Sequence, residues 1–295
     1  MKAARITTLG DAPELGDAPE PEPGPGEVVL ELAAAGVNPI DLAISSGTFF
    51  GGHPPVPYTP TLEAVGRVVS GQQAGALAYA SGGGLGLAKD GMAAERFAFP
   101  EALLQPVPEG TDPAVAVALG VVGLAGWLPL AWRAPVNAGD TVLILGATGA
   151  VGTVAVQAAR LLGAGRVVAA GRNAAKLAVA AEFADATVDL SAEDAASRLT
   201  EACGDGADII YDPLFGPALV AALGATKTGT RILQLGASAG QTAELPSSAI
   251  RGKQLNILGY TNFGVPRDVA TAAYRTLIEH ANAGSAARRD QDPVG

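Results

Sequence analysis

The sequence predicts an α/β protein of two domains, a β-rich domain followed by one built on a parallel sheet. Three observations carry this reading. The chain has 295 residues, about two domains at ~150 residues each. Before residue 113, short apolar runs are broken by glycine and proline, as in strands joined by tight turns. After residue 113, apolar runs alternate with helical stretches of about 10–15 residues, the pattern of βαβ units. Hydrophobic residues make up 48% of the chain and charged residues 16%, enough apolar material for two cores.

The elements follow in order. Residues 2–7 alternate as a strand. Pro19, Pro21, Pro23 and Pro25, with Gly24 and Gly26, form an extended connector that excludes a helix. Residues 27–32 are a strand, and residues 47–58 are loop around Gly51-Gly52-His53-Pro54-Pro55. Strands at 61–70 and 96–99 are separated by the small-residue run Ser81-Gly82-Gly83-Gly84. Then strands at 141–145, 166–170, 186–189, 209–211 and 231–235 alternate with helices at 151–162, 174–183 and 192–202. Residues 268–283 form an amphipathic helix, and residues 285–295, without periodicity, are expected to be disordered.

Several classes of function are disfavoured. The formal net charge of −10 argues against nucleic acid or an anionic membrane as a partner. Cys203 is the single cysteine, so neither an intrachain disulfide nor a multi-cysteine zinc lobe is expected. The start, Met1-Lys2-Ala3-Ala4-Arg5-Ile6, lacks the apolar core of a signal peptide, and a cytoplasmic location is expected. Residues 115–132 carry no charge and are long enough to be weighed as a membrane span. Gly120, Gly123, Gly126 and Pro129 within them favour one buried helix between the two domains.

The chemistry-bearing motif is Gly146-Ala147-Thr148-Gly149-Ala150-Val151-Gly152, between the 141–145 strand and a helix. Its glycines give G-x-x-G-x-x-G, a variant of the dinucleotide fingerprint. They suit a tight turn, a close approach of backbone to pyrophosphate, and helix–strand packing at Gly152. N–H groups at Ala150 and Val151 would face the phosphates. The next strand ends Ala169-Ala170-Gly171-Arg172-Asn173, with Lys176 one turn into the following helix. NAD enzymes place an acid here for the ribose 2′-hydroxyl. This chain offers two cations and no acid, so NADPH is expected; the alternative makes Arg172 and Lys176 solvated helix-start charges.

Further motifs then resemble a known family. Pro23-Gly24-Pro25-Gly26-Glu27-Val28, Ala35-Gly36-Val37-Asn38-Pro39-Ile40-Asp41 and Leu62-Glu63-Ala64-Val65-Gly66 precede the glycine turn. Leu235-Gly236-Ala237-Ser238 and Leu258-Gly259-Tyr260 follow it. In order and spacing these resemble the zinc-independent quinone oxidoreductases of the medium-chain dehydrogenase/reductase superfamily, over roughly residues 1–284. The resemblance implies a GroES-like substrate domain (1–113, completed by 259–284) and a Rossmann, doubly wound cofactor domain (114–258). It also implies a nicotinamide in the cleft between them, beside Gly236, Ala237 and Ser238, and commonly a homodimer.

Zinc-dependent relatives carry cysteine where Asn38 stands and histidine where Leu62 stands, so no metal is expected. A residual site from Asp41, His53 and Glu63 has no ligand-like spacing. Without zinc, reducing a simple carbonyl lacks a Lewis acid for the developing alkoxide, whereas an enone or quinone delocalises that charge. The expected function is therefore hydride transfer from NADPH to a quinone or α,β-unsaturated carbonyl, with Asn38 donating toward the carbonyl oxygen. Asn38 as a cap of its own backbone is the alternative, and Asp41 and Glu63 are expected to anchor that loop.

Departures from the family pattern set a second reading beside this one. Phe49 and Phe50 stand where many relatives have tyrosine, leaving Tyr58, then Tyr260, as candidate phenolic donors. Gly123-Leu124-Ala125 replaces Gly-Leu-Thr, and the segment around 71–80 is shortened. Relatives continue past the 268–283 helix where this chain carries 285–295, as a truncation, a shifted frame or a specialisation; each exposes substrate-domain surface for a partner subunit to bury. The second reading is a non-redox or non-catalytic NADPH-binding member, either a cyclase/isomerase or an accessory protein. Gly236-Ala237-Ser238-Ala239-Gly240 matches the G-x-S-x-G nucleophile elbow, but the extended residues 241–246 after it argue against a hydrolase.

Overall fold

The chain begins with two short antiparallel strands, β1 (Lys2–Arg5) and β2 (Glu14–Asp17). β3 (Glu27–Gly36) leads into a short helix, α1 (Pro39–Ser45), and β4 (Glu63–Val68), β5 (Leu77–Ser81), β6 (Arg96–Pro100) and β7 (Gln105–Pro106) follow. β3 to β7 form one antiparallel sheet in the order β6-β3-β4-β5-β7. Alternation sends Val28, Leu30, Ala64, Val68, Phe97 and Phe99 into a single core, while Glu63, Val65 and Tyr79 on the opposite face of β4 and β5 are buried as well. This computed structural model describes residues 1–284, so the tail at 285–295 lies outside the described residues.

The uncharged stretch at 115–132 is not one helix. It divides into α2 (Pro113–Ala118), α3 (Val121–Leu128) and a π-helical turn over Pro129–Arg133. Leu119 and Gly120 interrupt it, and Pro129 removes a helical donor. No described helix is long and apolar enough to cross a membrane. By contacts the chain forms two units, the first holding Met1–Val121 and Tyr274–Asn282 and the second Val122–Ala273.

The second unit is built on β8 (Thr141–Leu145), α4 (Ala150–Leu161), β9 (Arg166–Gly171), α5 (Ala174–Ala180), β10 (Ala186–Asp189) and α6 (Ala195–Cys203). It continues through β11 (Ala207–Asp212), α7 (Gly216–Ala222), β12 (Thr226–Gln234), α8 (Ser247–Gly252) and β13 (Asn256–Gly259) to the first residues of α9 (Arg267–Asn282), whose part from Tyr274 onward belongs to the first unit. The sheet is parallel throughout, in the order β10-β9-β8-β11-β12-β13. Its order reverses between β8 and β11, where doubly wound sheets bind ligands beyond their carboxyl ends. Val142, Leu143, Ile144 and Leu145 are all fully buried, because a parallel strand is covered on both faces.

The expected strands at 141–145 and 186–189 match β8 and β10 in full. The expected strand at 61–70 shortens to Glu63–Val68, and the helix at 192–202 starts later, at Ala195. β2, α1, β5, α7, α8 and β13 are elements that pattern reading did not anticipate. Cys203 is 2% exposed and packs with Leu199 and Ala207. Burial pushes its thiol up to about 11. At pH 8 the native protein is expected to react with dithionitrobenzoate at least about tenfold more slowly than the unfolded chain. Equal rates would show the thiol to be accessible.

Candidate functional site

The glycine turn after β8 is shaped by backbone that a side chain would block. Gly146 sits at φ +66 and accepts the Gly149 N–H at 2.9 Å. A Cβ on Gly152 would collide with the Gly146 carbonyl, so the first turn of α4 lies directly on the strand end. Gly149 caps α4 in extended conformation, and the N–H groups of Ala150 and Val151 have no acceptor within the helix. A Cβ on Gly171, at the end of β9, would meet Thr148 Cγ2 at 2.6 Å. The structure therefore brings Thr148 and Gly171 together and leaves a helix start open to an anion.

Beside that start lie the two predicted cations. Arg172 is exposed, and neither its guanidinium nor the Lys176 ammonium makes an ion pair or hydrogen bond among the described residues. Asn173 has a local task, since its side-chain oxygen accepts the Lys176 N–H at 3.0 Å and caps α5. Thr148, Gly149, Ala150 and Lys176, with Val156 and Phe183, line a cavity of about 320 Å³. These residues fit a phosphorylated nucleotide: a cradle that a Cβ would fill, open N–H donors and uncommitted cations.

The second predicted loop, Gly236, Ala237 and Ser238, follows β12. A Cβ on Gly236 would meet the Pro213 carbonyl oxygen at 2.6 Å. The Ser238 N–H and hydroxyl both donate to that oxygen, at 3.4 and 3.2 Å. No helix follows until Ser247, so the strand–turn–helix of a nucleophile elbow is not formed.

In the first unit, Asn38 is 3% exposed at the start of α1. Its N–H donates to Asp41 Oδ2 at 2.7 Å, and Asp41 Oδ1 accepts the Leu62 N–H at 3.0 Å. Its side-chain amide donates to Glu63 Oε1 at 2.8 Å. The second Glu63 oxygen accepts the Tyr79 hydroxyl at 2.7 Å and the Val121 N–H at 2.8 Å. A Cβ on Gly36 or Gly120 would collide with this carboxylate. Asp41 and Glu63 are thus both committed to the local framework, and one amide hydrogen of Asn38 is engaged.

Tyr58 is 2% exposed, and its hydroxyl is buried without a hydrogen-bond partner. It packs among Ile6, Ile44 and Leu62, and no hydrogen bond joins it to Asn38. Tyr260 donates to Asn262 Oδ1 at 2.7 Å. His53 Nδ1 lies 2.8 Å from the Pro54 carbonyl oxygen. Among the described residues, no three His, Cys, Asp or Glu side chains are grouped to hold a metal. Pattern reading missed Thr61, a buried β-branched residue at φ +77. Such a conformation costs roughly 1–3 kcal/mol, and the glycine at 86 permits it, since a Cβ there would meet the Thr61 carbonyl oxygen at 2.5 Å.

Comparison with known proteins places this geometry among relatives. Residues 24–109 match the alcohol dehydrogenase GroES-like domain and residues 150–280 match the zinc-binding dehydrogenase family. Human quinone oxidoreductase is 28% identical over 280 residues, covering 91% of this chain and 82% of that protein. The quinone oxidoreductase of Thermus thermophilus, solved also in complex with NADPH, is 33% identical. It superposes with a TM-score of 0.79, over 95% of this chain and 87% of that one. An NAD-dependent alcohol dehydrogenase superposes with a TM-score of 0.87 at 28% identity, over 97% and 90%.

Burial raises the Glu63 carboxyl above its ordinary value, against the opposing pull of the Asn38, Val121 and Tyr79 donors. A carboxyl raised in the folded state contributes its full stability below the unfolded value and loses it as pH rises through the folded one. Relative to Glu63→Gln, the native protein should therefore lose stability in urea unfolding as pH rises from 4.5, the ordinary glutamate value. A stability difference that stays flat with pH would refute the raised carboxyl.

Proposed function

The chain belongs to the quinone oxidoreductase group of the medium-chain dehydrogenase/reductase superfamily, and from that premise we propose an NADPH-dependent, zinc-independent reductase of quinones or α,β-unsaturated carbonyls. The fold of this family binds a nicotinamide cofactor, and its members act as oxidoreductases on small molecules. What supports NADPH over NADH is the pair of uncommitted cations, Arg172 and Lys176, where an NAD enzyme has an acid. Gly146, Thr148, Gly149, Ala150, Val151 and Gly152 would hold the pyrophosphate, with Gly171, Arg172, Asn173 and Lys176 around the 2′-phosphate. Gly236, Ala237 and Ser238 would lie at the nicotinamide end.

When bound, NADPH supplies the hydride. The protein's own task is to hold the reactants and to stabilise the charge that develops on the substrate oxygen. In the proposed mechanism the side-chain amide of Asn38 donates to that oxygen. One neutral donor suits an acceptor that delocalises its charge, which favours a quinone or enone over an isolated ketone. The carboxylates of Asp41 and Glu63 already accept N–H and O–H donors, which supports a site working without zinc.

The enclosed Tyr58 hydroxyl and the partly engaged Asn38 amide favour one second reading, a family member that binds NADPH without redox turnover, as an accessory protein or a cyclase/isomerase. Turnover of NADPH with phenanthrenequinone separates the two. We propose also that the protein is a cytoplasmic homodimer, as the family resemblance suggests.

Fluorescence titration should show NADPH binding more tightly than NADH. Arg172→Ala should weaken NADPH about tenfold, the scale of one charge-assisted phosphate contact, and leave NADH unchanged. Equal affinity for the two nucleotides would overturn the 2′-phosphate assignment. With phenanthrenequinone, Asn38→Ala is expected to lose turnover while keeping NADPH affinity, and unchanged turnover would remove Asn38 from the mechanism.

A further inference from the structure

Asp212 ends β11 at the carboxyl edge of the parallel sheet, next to the point where the strand order reverses. It is fully buried. Its Oδ1 accepts the Leu214 N–H at 2.9 Å and the Phe215 N–H at 2.8 Å, while Oδ2 is buried with no partner. The turn it closes is strained. Phe215 stands at φ 57, ψ −162, a combination found almost only in glycine and persisting only where the surroundings impose it. Two N–H groups drawn onto one carboxylate oxygen are such an imposition.

This turn touches both glycine loops. On one side, a Cβ on Gly146 would meet Leu214 Cδ2 and Pro213 Cγ, each at 3.1 Å. On the other, the Pro213 carbonyl accepts from Ser238, and the Leu214 carbonyl accepts the Ala239 N–H at 2.8 Å. Gly216 and Gly240 meet backbone to backbone, since a Cβ on Gly240 would lie 3.1 Å from Gly216 Cα. The Asp212 backbone carbonyl also accepts the Leu235 N–H at 3.0 Å. One buried side chain therefore sets the conformation of a turn on which the 146–152 and 236–240 loops both rest.

We propose that Asp212 is a positioning residue for the nucleotide, acting through the 213–216 turn to set the spacing of the two glycine loops. The inference rests on the dinucleotide reading above. The essential feature is the acceptor at Oδ1, so the isosteric amide should serve as well as the acid. Burial raises the Asp212 carboxyl above its ordinary value, which agrees with a group that works without a full charge.

The test compares native protein, Asp212→Ala and Asp212→Asn by NADPH titration and by hydrogen exchange over residues 236–240. Asp212→Ala should weaken NADPH about tenfold, within the range for coupling through packed neighbours, and speed exchange at Ser238 and Ala239. Asp212→Asn, which keeps the acceptor, should stay within about threefold of native affinity on the same scale. Native affinity in Asp212→Ala overturns the proposal, as does equal damage in Asp212→Asn. Should Asp212→Ala fail to fold, Gly240→Ala wedges the loop from the turn without touching Asp212. It should weaken NADPH by a similar factor, and native affinity there overturns the proposal too. A native protein that binds no dinucleotide refutes the cofactor reading instead. Exchange alone then decides: faster exchange in Asp212→Ala supports the coupling and unchanged exchange overturns it.

Discussion

Glu63 is a carboxylate 1% exposed to solvent, with no ion-pairing cation among the described residues, and the first unit is arranged around that constraint. A buried carboxylate must be surrounded by donors or it takes up a proton. Here the donors come from three places in the chain, the Asn38 amide, the Tyr79 phenol and the Val121 N–H, and glycines at 36 and 120 leave the space for them. Hydrogen bonds to a charged group contribute roughly 1.5–3 kcal/mol each, enough for this cluster to fix where α1 and α3 begin. Tyr79 extends its reach by stacking on Tyr274 of α9, ring centres 4.4 Å apart. The position of Asn38, and so of any hydrogen it offers a substrate, is a by-product of keeping Glu63 satisfied.

Under the proposed reading the second unit meets a different demand, that of bringing backbone close to a phosphate. Its devices are omissions: no side chain at Gly146, Gly152, Gly171 or Gly236, where a Cβ would meet neighbouring atoms. A chain with net charge −10 that leaves two cations unpaired beside such a turn concentrates positive field at one place on an acidic body. Both units thus hold groups that local rules disfavour, a buried acid in one and uncommitted surface cations in the other.

How much of this was legible in the sequence follows from where the determining contacts lie. β8 could be read to the residue because a strand covered on both faces is a continuous apolar run. β10, an edge strand of four residues with only Val188 buried, could be read from its place in the strand–helix alternation. The Gly146–Gly152 turn could be read because its constraint is local. α1 was hidden by its seven residues, although Asn38, Pro39 and Asp41 carry a cap, a helix-starting proline and an acid in the first turn. β5 was hidden by a run of small residues after a glycine turn. The Glu63 cluster was out of reach, since its partners lie 25, 16 and 58 residues away. Asn173 shows the converse, a residue that motif position assigned to the proposed cofactor site and whose side chain is spent on capping α5. Asp212 was passed over because nothing in Tyr211-Asp212-Pro213-Leu214 marks an acid as buried.

Quinones and enones are electrophiles, and the protein nucleophile they consume fastest is a thiolate. The chain has one cysteine, shut inside the sheet's core with its proton held tightly. A catalyst proposed to admit such compounds therefore presents them with no accessible thiol to alkylate. The packing of the core thus removes the most reactive protein nucleophile from contact with such electrophiles.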